Sequence, residues 1–239
     1  MERLIFATNN ENKLKEARAI LSDFEVLSQE DFEIFDEVIE DGESFAENAL
    51  KKARAISLLT GQMVFAEDSG LCVNALGGAP GIYSARWSGG DADDNNAKLL
   101  RELEGATERS AHFNATIALV YPLFMRADDI RPYDAGACAS KCGTMWASSP
   151  TNECNSFEDG TPGTASPTNA APGSHFIFEA EWHGEIAHEV RTEKGWGYEP
   201  VFIPTGYDET VAELSMDKKN SISHRYMALM KLKEFLKNK

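Results

Sequence analysis

The run Met63-Val-Phe-Ala66 is apolar, and it meets two adjacent carboxylates, a hydroxyl and a glycine in Glu67-Asp68-Ser69-Gly70. A short apolar run bounded in this way reads as a buried strand that stops at the acids. Open α/β sheets present functional groups in that manner, at the carboxyl end of a strand. The remaining segments can be read for what those acids would act on.

Leu4-Ile-Phe-Ala7 reads as a first strand, and Lys13 to Leu21 has helical periodicity through Leu14, Ala17, Ile20 and Leu21. Between them lies Thr8-Asn-Asn-Glu-Asn-Lys13, a strand-loop-helix junction of the kind that aims backbone N–H groups and a positive helix end at an anion. The glycines of a Walker A loop are missing there. Ser44-Phe-Ala-Glu47 is a capping box opening a helix to about Leu59, with Gly61 just past its end. Phe45, Ala49, Ala53, Ile56 and Leu59 form its apolar stripe, which leaves Glu47, Asn48 and Lys51 to a solvated face. Beyond the acids, Leu71 to Leu76 continues in strand, Gly77-Gly-Ala-Pro-Gly81 is a shaped turn, and Asp93 to Leu103 is a second amphipathic helix stopped by Gly105. Phe113 to Tyr121 and Phe176 to Trp182 alternate as two long strands that should pair as a hairpin. Lys194 to Pro200 is a loop rich in glycine and aromatics, followed by the short strand Val201-Phe-Ile203 and a terminal helix after Arg225.

The segment from about 126 to 173 is different. It holds five of the nine prolines and lacks periodicity of either kind, so it reads as an irregular insertion at the hairpin tip. Three of the four cysteines lie there (Cys138, Cys142, Cys154), in a Cys-x3-Cys-x11-Cys spacing that departs from paired zinc arms, and His175 would be needed as a fourth ligand. They read as free thiols.

A formal charge of −16 over 239 residues repels a phosphate backbone, which argues against a nucleic-acid partner, while a few converging lysines and a divalent cation still suit a small polyphosphate. The N-terminus has only four consecutive apolar residues, too few for a signal peptide, and no stretch approaches membrane-spanning length. The expectation is a cytoplasmic protein with no membrane partner.

Taken together, the loops supply parts of a nucleoside triphosphate site. Glu40, Glu67 and Asp68 offer oxygen ligands to a hard ion such as Mg²⁺, Asp68 could orient or deprotonate a water, basic residues would meet phosphate, and an aromatic loop would meet a base. An ordinary acidic turn is the plainer alternative for Glu67-Asp68. Six motifs then resemble the inosine triphosphate pyrophosphatase family, in order and over nearly the whole chain outside 126–173: Ala7 to Glu16, Glu40 to Ala49, Ala66 to Leu71, Leu76 to Arg86, Gly195 to Pro200 and Ile222 to Arg225. The resemblance implies hydrolysis of deaminated purine nucleoside triphosphates (ITP, dITP, XTP) to monophosphate and pyrophosphate, with Mg²⁺, by a homodimer. It also implies one α/β domain over 1–239, an elongated mixed sheet with flanking helices and two lobes around a central cleft.

By the same resemblance, Thr8, Asn9, Asn10, Glu11, Asn12 and Lys13 bind the triphosphate, Asp68 is general base and metal ligand, and Glu40 and Glu67 complete the metal set. Ser69 touches substrate, with Lys51 and Arg86 nearby. Trp196, Gly197, Tyr198 and Glu199 hold the base, and Lys219, His224 and Arg225 close over base and phosphates. Two positions depart from the family pattern: Trp196-Gly-Tyr-Glu199 stands where Phe-Gly-Tyr-Asp is usual, and Glu67 stands where an Asp-Asp pair is common. The runner-up readings are a Maf-type nucleotide pyrophosphatase and a non-catalytic nucleotide-binding protein.

Overall fold

The computed structural model describes residues 2–123 and 171–238. Six strands, β1 (Glu2–Phe6), β2 (Phe24–Ser28), β3 (Val64–Val73), β4 (Ser110–Val120), β5 (His175–Ile186) and β6 (Phe202–Pro204), form one sheet in the order β2-β1-β3-β4-β5-β6. The first three run parallel, and β3 to β6 are antiparallel. The helices are α1 (Glu11–Ile20), α2 (Phe45–Thr60), α3 (Ala92–Glu102), α4 (Met216–Ile222) and α5 (His224–Lys237). The mixed α/β sheet with flanking helices is thus the architecture the family resemblance implied.

Alternation along β4 and β5 makes the expected hairpin, paired from Ser110↔Glu185 to Val120↔His175. The segment 126–173 therefore leaves from the hairpin tip, and it lies almost wholly outside the described residues, as do Cys138, Cys142 and Cys154.

One expectation is corrected. The strand does not end at Ala66: β3 continues through both acids to Val73, because β4 pairs with all ten of its residues. Its other edge is different, since β1 pairs only Ile5↔Val64 and Phe6↔Phe65 before the chain turns away after Ala7. From Glu67 onward that edge has no neighbouring strand among the described residues, and its polar groups find other partners. Lys52 donates to the Glu67 carbonyl (2.9 Å), and the Leu71 N–H donates to Ser84 Oγ (2.9 Å). Polar side chains thus gather along an open strand edge, not beyond a strand end.

Because side chains alternate in a strand, Phe65 and Glu67 face one side of the sheet while Ala66 and Asp68 face the other. On the Phe65 side, α1 and α5 bury Leu21, Leu229 and Leu232 against Phe6, Ile117 and Leu119. On the Asp68 side, α2 packs Ala49, Ala53 and Ile56 onto Ile5, Val64, Ala66 and Ala118. Each fully buried Leu, Ile or Phe contributes roughly 1.5–3 kcal/mol, which holds two separate helical layers to one central strand. Ser44 caps α2 by accepting from the Glu47 N–H (3.2 Å), but Glu47 reaches the Glu43 N–H (2.7 Å), so the capping box closes one residue early. Gly61 ends the helix at φ 64°.

Gly70 sits where the open edge meets the turn after β3. A Cβ there would lie 2.5 Å from Ser84 Oγ and 3.0 Å from a Phe45 ring carbon, and closer still to the Gly81 carbonyl. Gly70→Ala is therefore expected to cost ~1–3 kcal/mol by overpacking, read as a lowered denaturant midpoint at unchanged m-value.

Candidate active site

A cavity of about 530 Å³ opens at the exposed edge of β3, a volume in the range of small-molecule sites. It is lined by the loop after β1 (Thr8, Asn9, Asn10), by Lys13, by Glu40, by Glu67 to Leu71, by Trp196 to Glu199, and by Lys219 and His224. Segments far apart in sequence thus converge as the motif set implied.

On the α2 side, Asp68 is buried and each of its oxygens has a partner. Asn48 Nδ2 donates to Oδ2 (3.1 Å), and the Ser69 N–H donates to Oδ1 (3.0 Å). Lys52 Nζ lies 3.0 Å from Glu40 Oε1 and 3.9 Å from Asp68 Oδ1, so one ammonium serves two carboxylates. Burial pushes the Asp68 carboxyl above its ordinary value and the Glu40 charge adds to that, while Lys52 opposes. Asn48 is fully buried, with Oδ1 accepting from the Gly42 N–H (2.8 Å). The solvated-face reading of Asn48 is therefore overturned: it ties the segment before α2 to Asp68.

On the α1 and α5 side, Glu67 takes a different role from the one expected. Arg225 donates from Nε to Oε2 (2.8 Å) and from Nη2 to Oε1 (2.9 Å), and Lys13 Nζ lies 3.4 Å from Oε1. Both oxygens are committed. Burial alone would raise the Glu67 carboxyl, but Arg225 and then Lys13 outweigh it and hold it far below the usual carboxylate range. Arg225 also pairs with Glu16, whose other oxygen takes Lys219 Nζ at 2.8 Å, and Lys219 reaches Glu199 Oε1 at 2.6 Å. The result is a buried chain of alternating charge, Lys13–Glu67–Arg225–Glu16–Lys219–Glu199, three cations against three carboxylates. Glu199 closes the far end of this chain through its contact with Lys219.

Several expected contacts are corrected by the same geometry. Arg225 is fully buried among carboxylates and does not line the cavity. Lys51 pairs with Asp41 (2.6 Å) instead, and its neighbour Lys52 occupies the place expected for it. Arg86 donates to the Glu40 carbonyl (3.3 Å) and lies over the Tyr83 ring, so it braces the Glu40 segment from outside. Glu11 is exposed and paired with Lys15, and Asn12 gives its N–H to Asn10 Oδ1 (3.0 Å), which also accepts from the Lys13 N–H (3.1 Å). Asn10 thus caps α1 with the amides that an anion would otherwise meet. Lys13 Nζ donates to Ser69 Oγ (3.1 Å), bringing two of the expected residues together.

The aromatic wall contains more than the Trp196 loop. Phe113 and Trp182, read only as strand core, also line the cavity, and His224 stacks on Phe113 with centroids 4.9 Å apart. Burial, and then the nearby Arg225 charge, hold the His224 imidazole well below its ordinary pKa, so the ring is neutral. Its Nδ1 has no hydrogen-bond partner among the described residues. Trp196 faces two cations, Lys219 Nζ and Arg225 Cζ each 5.4 Å from its ring. Tyr198 donates from its hydroxyl to the Ser84 carbonyl (2.9 Å), fixing the loop.

Comparison with known proteins agrees with this geometry. A dITP/XTP pyrophosphatase of Geobacter sulfurreducens is 40% identical over 242 aligned residues, covering 99% of this chain and 97% of that protein. One from Desulforamulus reducens is 39% identical over 98% of this chain and 95% of its own. Among solved structures, the Ham1 protein of Staphylococcus aureus superposes with a TM-score of 0.73 at 29% identity, covering 99% of this chain and 98% of that one. The nucleoside-triphosphatase / dITP/XTP pyrophosphatase of Mycobacterium abscessus superposes with a TM-score of 0.64 at 33% identity, over 96% and 98%. The family model of the Ham1 family matches residues 4–138 and 163–235, leaving only 139–162 between the two matched stretches, and the chain belongs to that family.

Proposed function

We propose that this chain hydrolyses deaminated purine nucleoside triphosphates (ITP, dITP, XTP) to the monophosphate and pyrophosphate. The observation that carries the reading is the convergence of Asp68, Glu40, Lys52 and Lys13 with Phe113, Trp182, Trp196 and His224 around one cavity. The first group suits a polyphosphate and the second a flat base. The curated relatives that match nearly the full chain carry names for that activity.

The donor set also fits Mg²⁺. Glu40 and Asp68 are hard oxygen donors that share one ammonium, so the pair retains net negative charge that a divalent cation would neutralise. Glu67 is left out of this set, being neutralised by Arg225. When bound, the ion would neutralise phosphate charge and make a bound water more acidic.

The chain's own residues supply the rest. Asp68, fixed at both oxygens by Asn48 and the Ser69 N–H, orients the attacking water and accepts its proton as the water attacks the α-phosphorus. Lys13 and Lys52 line the cavity and would stabilise charge developing on the departing pyrophosphate, and because both are already held by partners they need little reorganisation. His224 is the candidate for reading the 6-oxo group. A neutral imidazole with the right tautomer donates to that oxygen, whereas adenine's 6-amino group would leave the donor unpaired in a desolvated wall.

The same reading makes the enzyme a cytoplasmic homodimer with no nucleic-acid partner. The charge of −16 supports the last point, and among the described residues no helix is long and apolar enough to cross a membrane. Incubation with XTP, dITP, dTTP or ATP plus Mg²⁺ tests the activity. Pyrophosphate from XTP and dITP, with at least ~10²-fold lower kcat/KM on ATP, is the expected result. Orthophosphate as the first product, or equal turnover of ATP, would overturn it, and a preference for dTTP would favour the Maf-type reading. Light scattering after size exclusion reads the dimer.

A further inference from the structure

A second cluster of ligand-type side chains lies on the sheet outside the cavity. His112 on β4 and His183 on β5 are direct cross-strand partners, so both project from one face, and their ring centroids are 5.4 Å apart. Glu181, two residues before His183, shares that face. One of its carboxylate oxygens is 3.8 Å from His112 Nε2 and the other is 3.2 Å from His183 Nε2. One ligand atom from each of the three lies within 4.8 Å of the other two, and no other group of three or more His, Cys, Asp or Glu among the described residues meets that condition. None of the three lines the cavity.

We propose that His112, Glu181 and His183 form a binding site for a divalent transition metal of the zinc class, separate from the Mg²⁺ chemistry at Asp68. Two imidazoles and a carboxylate are the donor set of borderline ions. Mg²⁺ prefers oxygen alone, and the affinity order for such a site favours copper, zinc and nickel. Zinc bonds of about 2.0–2.1 Å in tetrahedral geometry put ligand atoms roughly 3.3 Å apart, close to the separations seen here, with a fourth position left for water. The ligands stand on paired strands, so little backbone order is lost on binding. His183 and Glu181 have side-chain exposures of 65% and 49%, which lets an ion enter. Cys72 is the cross-strand partner of His112 on the side of β3, but it does not join the three.

The ligand set spans β4 and β5, so an ion held there binds the folded hairpin and not the unfolded chain. It therefore raises stability as it saturates. The site also belongs to the same sheet face as Asp68, from which Cys72 is four residues, or roughly 13 Å, along β3. An ion here would clip together the two strands that carry the inserted segment.

The test is calorimetric titration of the full chain with Zn²⁺ in excess Mg²⁺, with the melting temperature followed in parallel. The expected result is one Zn²⁺ per chain and a rise in melting temperature. His112→Ala and His183→Ala should each weaken binding by more than about tenfold, the lower end of what even supporting residues of metal sites cost. Asp68→Asn should bind Zn²⁺ as the unsubstituted chain does. Equal melting temperatures in chelator would show that the histidine variants fold normally. No Zn²⁺ uptake, or uptake unchanged in both histidine variants, overturns the proposal. So does uptake that survives His183→Ala but is lost when Cys138, Cys142 and Cys154 are all changed to Ser.

Discussion

Arg225→Ala is expected to cost about 3–5 kcal/mol of folding stability, the range for breaking a buried ion pair by removing one partner. The reason is the two carboxylates it leaves behind. Glu67 and Glu16 are both buried, and each holds a position in the alternating chain only because the guanidinium sits between them. Arg225→Lys should recover part of the loss, since it restores charge but not the two-pronged contact to Glu67. The pH dependence has a definite sign. In the unsubstituted chain the Glu67 carboxyl is depressed, so its contribution is fully present above its unfolded value of 4.5 and is lost only in strong acid. Without Arg225, burial is opposed chiefly by Lys13, and the carboxyl moves upward. Stability of the variant should then fall more steeply with rising pH than that of the parent, whose Glu67 contribution is constant above 4.5. Denaturant unfolding between pH 5 and pH 8 reads both effects. A loss below ~1 kcal/mol would show that Arg225 does not hold the two acids.

This chain of charges also marks where sequence reasoning stops. Strand alternation in Phe113–Tyr121 and Phe176–Trp182 depends on local pattern alone, and the two strands pair as the expected hairpin. The caps of α2 are likewise local. The order of Glu67 and Asp68 is also local, but its meaning depends on whether the strand continues through them. Once β4 extends β3 to Val73, adjacent acids face opposite sides of the sheet, and one shared metal set of Glu40, Glu67 and Asp68 gives way to two separate environments. Arg225 is 158 residues from Glu67, and Glu16 is 209 from Arg225; no periodicity links them. A missed signal did exist in α2. Asn48 and Lys52 are spaced i, i+4 on one face and flank the buried Ala49 and Ala53, so they had to point toward the sheet while Lys51 pointed away. Phe113 and Trp182 were legible as buried, but a residue that packs a core and walls a cavity gives the same alternation for both.

Asp68→Asn is expected to abolish pyrophosphate release while leaving the protein at least as stable as the parent. Loss of a positioned general base alone lowers kcat by about 10²–10⁴-fold, and Asp68 is also one of the two carboxylates proposed to hold Mg²⁺. Stability should move the other way. Burial disfavours the Asp68 charge, so its folded-state pKa lies above the unfolded value of 3.8. Its favourable contribution is therefore complete below that value and is lost as pH rises through the folded-state pKa, which makes the ionised carboxylate a cost at neutral pH. An isosteric amide removes that cost, and its oxygen can still accept from Asn48 Nδ2, while the hydrogen bond from the Ser69 N–H is given up, a loss of about 1 kcal/mol set against the removed charge. In metal-free buffer the melting temperature of the variant should equal or exceed that of the parent at pH 7, and the parent's decline with rising pH should disappear. Near-normal turnover would remove Asp68 from the chemistry. A large drop in melting temperature would instead make it a structural residue, with the lost activity a consequence of unfolding.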